Sequence, residues 1–129
     1  MKALRPAFSL ILLLTLGWLI VSCGSGGNGR QLQSISIAQT VNGEQIQFVA
    51  TGTFSAPPTT VTPLPVWWSF APPGGPYTLT TQPFVLQCTV SGAYPSPIIA
   101  WAPADPNAPS SGSWSGTKMI TGSTGAICP

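Results

Sequence analysis

Residues 31–129 predict an all-β fold, a β-sandwich of about seven or eight short antiparallel strands, and three observations lead there. Apolar and polar residues alternate with a period of two in several short runs, the pattern of a strand with one buried face. The 129-residue chain carries 15 prolines and 14 glycines, which punctuate those runs too often for long regular elements. No stretch beyond residue 30 shows a helical period, which argues against an α/β architecture.

The strands are expected in the following order. Leu32 to Ala38 reads as the first, with Ile35 and Ile37 on one face and Ser34 and Ser36 on the other. Val41-Asn42-Gly43 supplies a turn, because Asn-Gly adopts the positive φ of a tight hairpin. Glu44 to Phe54 is the clearest strand: Ile46, Phe48, Ala50 and Phe54 share one parity, and Gly52 on that parity marks a bulge or a close neighbour. Prolines 57, 58, 63 and 65 then interrupt pairing until Leu64 to Phe70, where Val66, Trp68 and Phe70 point inward and Trp67 outward. Tyr77 to Thr81 is a short candidate. Phe84 to Val90 is stronger, with Phe84, Leu86, Cys88 and Val90 on the buried parity. Ile98 to Trp101 follows, then an irregular loop from Pro103 to Gly116, then Lys118 to Thr121 and Thr124 to Cys128 as a broken hairpin or kinked edge strand.

The N-terminus has a different character. Lys2 and Arg5 precede an apolar run from Ala7 to Val21, and small residues follow, the three parts of an export signal. The run is shorter than the roughly 20 apolar residues of a spanning helix. Ile20-Val21-Ser22-Cys23 resembles the lipobox of bacterial lipoproteins. The resemblance implies cleavage before Cys23, diacylation of its sulfur and acylation of the new amine. The chain then divides into a signal peptide, 1–22, a lipidated cysteine and flexible Gly/Ser tether, 23–30, and the β domain, 31–129. Membrane lipid, through acylated Cys23, becomes the one expected partner of known chemistry. Gly24 after the cysteine is similar to lipoproteins sorted to the outer membrane of a two-membrane bacterium.

Without Lys2 and Arg5, the remaining charges are Arg30, Lys118, Glu44 and Asp105, which cancel. With no basic stripe to neutralise phosphates, nucleic acid is not an expected partner. Cys88 and Cys128 are left to pair with each other in an oxidising compartment. A metal site at these two thiols would be short of ligands, since the chain has no histidine. No cofactor is expected.

The runs Leu32-Gln33-Ser34-Ile35-Ser36-Ile37, Gln47 to Ser55 and Val66-Trp67-Trp68-Ser69 resemble the first half of a bacterial Ig-like domain, with Phe48 and Trp68 as the matching core aromatics. The resemblance implies an Ig-like β-sandwich and a structural, adhesive or protein-binding role in the cell envelope. It fades beyond Phe70, where the family's usual ending is absent and a cysteine pair appears. Cys88, Trp101 and Cys128 are also similar to the Cys-Trp-Cys arrangement of true immunoglobulin domains, but Ala126 stands where their corner tyrosine belongs.

Catalysis is not expected. Without histidine the usual general base is missing, and the two carboxylates, Glu44 and Asp105, are 61 residues apart. Ser115-Gly116-Thr117-Lys118 has the S-x-x-K spacing of penicillin-binding proteins, but in a glycine-rich, strand-like context that does not put Ser and Lys on one helix face. Trp67, Tyr77, Tyr94 and Trp114 are the candidate binding surface. If exposed, they can stack on sugar rings, as in a carbohydrate-binding module, or anchor an unidentified envelope protein. In the alternative reading, Trp67 covers an edge or packs beneath the Pro57–Pro65 loop, and Trp114 closes the long loop over an open end of the sandwich.

Overall fold

The computed structural model describes residues 29–129 apart from Pro73. The expected signal peptide, Cys23 and most of the expected tether lie outside the described residues. Among the described residues the fold is all β, with eleven strands in four antiparallel sheets. The excess over seven or eight strands consists of two-residue pieces.

The largest sheet is built around β2, Gln45–Phe54. On one side it pairs with β1, Leu32–Asn42, along its whole length. On the other it pairs with β3, Thr60–Val61, near one end and with β6, Phe84–Gln87, near the other. The expected alternation holds in β2, where Ile46, Phe48, Ala50, Gly52 and Phe54 are all buried. β1 runs four residues past the expected end. Its hairpin turn is Gly43-Glu44 rather than one centred on Asn42-Gly43, since Asn42 pairs with Gln45. Gly43 takes φ 59° at the first loop position, where a side chain would be strained. The register shifts between Leu32 and Ser34, so Leu32 and Ile35 are both buried despite opposite parity.

A three-stranded sheet faces this one, in the order β10 (Met119–Thr124), β8 (Ile98–Pro103), β4 (Trp67–Ser69). Ile98, Ala100 and Ala102 are its buried row. Two small ribbons complete the domain: β5, Tyr77–Thr78, with β9, Ser111–Gly112, and β7, Gly92–Ala93, with β11, Ile127–Cys128. The long loop is therefore not wholly irregular. The chain end leaves β10 to form its own ribbon with β7.

The core lies between the two larger sheets in two clusters. One gathers Leu32, Ile35, Ala50, Phe54, Leu64, Val66, Ala100 and Ala102. The other gathers Ile46, Phe48, Leu86, Ile98, Ala126 and the Cys88–Cys128 disulfide, with Sγ–Sγ 2.01 Å. Ile37 and Trp68 pack against both. Since both clusters are built from residues between Leu32 and Cys128, residues 29–129 contain a core of their own.

Two expected inward residues are exposed. Val90 is 78 % exposed because the β6 ladder stops at Gln87, leaving Cys88 to turn into the bridge and Val90 beyond it. Phe70 is 40 % exposed because β4 ends at Ser69. Its ring rests on Phe84 and Tyr94 instead.

Close approach replaces side-chain packing at two glycines. A Cβ on Gly52 would press on the side-chain ends of Leu64 and Leu32, 2.8 and 2.9 Å away. A Cβ on Gly122 would strike the Ile35 carbonyl, where β10 meets β1. Leucine ends can turn aside, whereas a strand carbonyl cannot. Gly122→Ala is therefore expected to cost about 2–3 kcal/mol in urea unfolding, and Gly52→Ala about 1 kcal/mol. The bridge closes a separation of 40 residues. Replacing both cysteines with alanine should lower unfolding stability by about 2–4 kcal/mol in the same measurement.

Candidate functional site

The Pro103-to-Lys118 loop organises the most distinctive part of the surface. β8 turns Ile98, Ala100 and Ala102 inward, so Trp101 must point outward, and the register sets it directly opposite Trp67 of β4. Trp114, from the loop, completes the group. Its ring meets Trp67 at 5.5 Å, Tyr77 at 5.4 Å and Trp101 at 5.3 Å, each edge to face with interplanar angles of 65–80°. These are the favourable offsets for aromatic pairs. The Trp101 indole N–H donates to Ser69 Oγ (2.9 Å), and the Tyr77 hydroxyl donates to the Pro109 carbonyl (3.1 Å). The Trp114 Nε1–H is buried without an acceptor, so packing alone holds that ring.

Three of the four aromatics singled out in the sequence therefore come together, and Tyr94 does not join them. It sits beside Phe70, near the disulfide cluster. Tyr77 is only 2 % exposed, which removes it from any contact surface. Trp67 packs on Trp114, and Trp114 stands against Trp67 and Trp101 of the three-stranded sheet. The group tethers the loop. Trp67, Tyr77 and Trp101 each meet the Trp114 ring edge to face. Trp101, absent from the candidates, is an equal member, and the inward parity of its small neighbours was the signal for it. The tryptophan that packs with the bridge cluster is Trp68, not Trp101.

The tethered loop builds one end of the domain. Ala104 links it to β1 and to Lys118: the Leu32 N–H donates to the Ala104 carbonyl, and the Ala104 N–H to the Lys118 carbonyl, both at 2.8 Å. Asp105 Oδ1 accepts the Asn107 N–H at 2.9 Å. Across from it, Arg30 donates from Nε to the Ala56 carbonyl and from Nη2 to the Pro58 carbonyl, at 3.2 and 2.6 Å. Its guanidinium lies 3.6 Å from the Phe54 ring centroid, a cation–π contact. Two adjoining cavities open here. One, about 200 Å³, has Arg30 and Asp105 among its lining and Leu32, Phe54 and Leu64 at its apolar base. The other, about 410 Å³, includes Asp105, Asn107 and Lys118. Both share Pro103, Asp105 and Ala108.

The geometry does not assemble the catalytic sets considered above. Glu44 lies in the hairpin turn at one end of β1 and Asp105 follows the residue bonded to its other end. An eleven-residue strand separates them by about 30 Å. Ser115-Gly116 forms a turn corner, closed by the Thr117 N–H on the Trp114 carbonyl at 3.2 Å, with Gly116 at φ 75°. Ser115 and Lys118 therefore share no helix face. Among the described residues, no group of three or more His, Cys, Asp or Glu side chains is placed to hold a metal, and no helix is long and apolar enough to cross a membrane. In comparisons with known proteins, the chain matches no family model, no curated protein and no solved structure.

If packing alone holds Trp114, its indole nitrogen is dispensable and its volume is not. Trp114→Phe should change unfolding stability by less than about 1 kcal/mol. Trp114→Ala should cost about 3 kcal/mol and make the Pro103–Lys118 loop susceptible to limited proteolysis.

Proposed function

We propose that this chain is a lipid-anchored protein of the bacterial cell envelope, a non-catalytic, Ig-like β domain with a structural, adhesive or protein-binding role. The observation that carries this reading is the use of the three cysteines. The fold pairs Cys88 with Cys128, which leaves Cys23, the residue that closes the lipobox-like Ile20-Val21-Ser22-Cys23, free for acylation. A disulfide between buried cysteines also suits an oxidising compartment outside the cytoplasm. The Ig-like reading draws support from Phe48, fully buried at the centre of β2, and from Trp68, which packs against both core clusters. The outer membrane remains the proposed destination, on the strength of Gly24.

A carbohydrate-binding module is the weaker reading, since Tyr77 is buried and Trp67 and Trp114 meet edge to face.

Intact mass and membrane fractionation of the full chain test the anchor. The wild type should lose residues 1–22, gain the mass of its acyl groups and sediment with membranes. Cys23→Ser should lack that added mass. A soluble wild type with an unmodified Cys23 would rule the anchor out.

A further inference from the structure

Between residues 29 and 129 only four side chains carry a formal charge, and three of them, Arg30, Asp105 and Lys118, line the two adjoining cavities. The cavities share Asp105, while Arg30 lines only the first and Lys118 only the second. In a domain otherwise nearly free of charge, three of the four charged side chains thus line neighbouring cavities. The base of the first cavity is apolar and belongs to the core cluster itself, through Leu32, Phe54 and Leu64. Arg30 is fixed by its bonds to Ala56 and Pro58, which occupy Nε and Nη2 and leave Nη1 for another acceptor.

We infer that this groove seats a single membrane phospholipid whose headgroup carries both a phosphate and an ammonium. The ammonium faces Asp105, the phosphate faces a flanking cation, and part of one acyl chain enters the apolar cavity. About 200 Å³ equals roughly seven water volumes at about 30 Å³ each, room for part of a chain and not for all of it. A purely anionic lipid would set its charge against Asp105, which is why the zwitterion fits better. The inference rests on the anchored reading. Arg30 lies seven residues after Cys23, a span of at most about 25 Å extended and about 15 Å as a flexible Gly-rich coil. An acylated Cys23 would thus hold the groove within reach of the headgroups.

The test is an amide NMR titration of residues 24–129, which include the whole core, with three soluble probes. These are dihexanoylphosphatidylethanolamine, the anionic dihexanoylphosphatidylglycerol, and phosphoethanolamine, a headgroup without tails. Saturable shifts are expected at Leu32, Ala104, Asp105 and Lys118 with the first probe, at least fivefold tighter than with either other. Asp105→Asn should bring the two lipids within twofold of each other, while Lys118→Gln should weaken both. Shifts located elsewhere, equal affinity for the two lipids in the wild type, or a preference unchanged in Asp105→Asn would each overturn the inference. Intact mass of the full chain is read separately. An acylated Cys23 with no lipid bound in the groove would discard the groove and leave the anchor standing.

Discussion

The inner face of β2 is shared by both halves of the core, and the rest of the domain is arranged around that one strand. Phe54 and Ala50 contribute to one cluster, and Ile46 and Phe48 to the other. Its ladder holds β1 on one side and β3 and β6 on the other. The disulfide is positioned through the same strand's neighbours, since the Cys88 N–H donates to the Glu44 carbonyl at the end of the β1–β2 hairpin. Gly52 lets Leu32 and Leu64 meet over the strand where a larger residue would separate them. Burial along this row supplies apolar contact that the small ribbons, two residues wide, cannot supply for themselves.

β2 was also the part most legible from sequence, because a half-buried strand of ten residues repeats its parity enough times to be read without ambiguity. The same rule located the outward Trp67 and the inward Cys88. It failed where a run was short or its regularity broke. Val90 continues the parity of Leu86 and Cys88, but the ladder ends before it, and parity has no meaning outside a ladder. The β1–β2 turn was displaced by one residue because Gly43-Glu44 satisfies the hairpin as well as Asn42-Gly43, and only the pairing register decides between them. The ribbon between β5 and β9 joins segments 34 residues apart and carries no local pattern.

The candidate site was legible in its ingredients and not in its assembly. Trp67, Tyr77 and Trp114 stood out as large residues in a Pro- and Ser-rich context, yet their gathering around Trp101 depends on the β4–β8 register and on a loop returning across the outer face. Arg30, Asp105 and Lys118 looked like isolated charges, 75 and 13 residues apart in sequence order. The hydrogen bonds of Ala104 to Leu32 and Lys118 are what draw the loop's acid and base to the end of β1, where Arg30 enters the fold.

The meeting of β1 with β10 bears on the exposed edge of the larger sheet. β1 is the outermost strand of its sheet and eleven residues long, and a strand of that kind offers its free backbone groups to any other chain. Proteins commonly block such an edge with lysines, but this domain has one lysine, and it is not on β1. Here part of that strand is met by the neighbouring sheet. Gly122 sits against the Ile35 carbonyl, and Gln39 reaches Thr124 Oγ1 and the Gly125 carbonyl. A domain whose four charged side chains, Arg30, Glu44, Asp105 and Lys118, cancel has little long-range repulsion between copies, and this one covers part of its longest edge strand with its own chain.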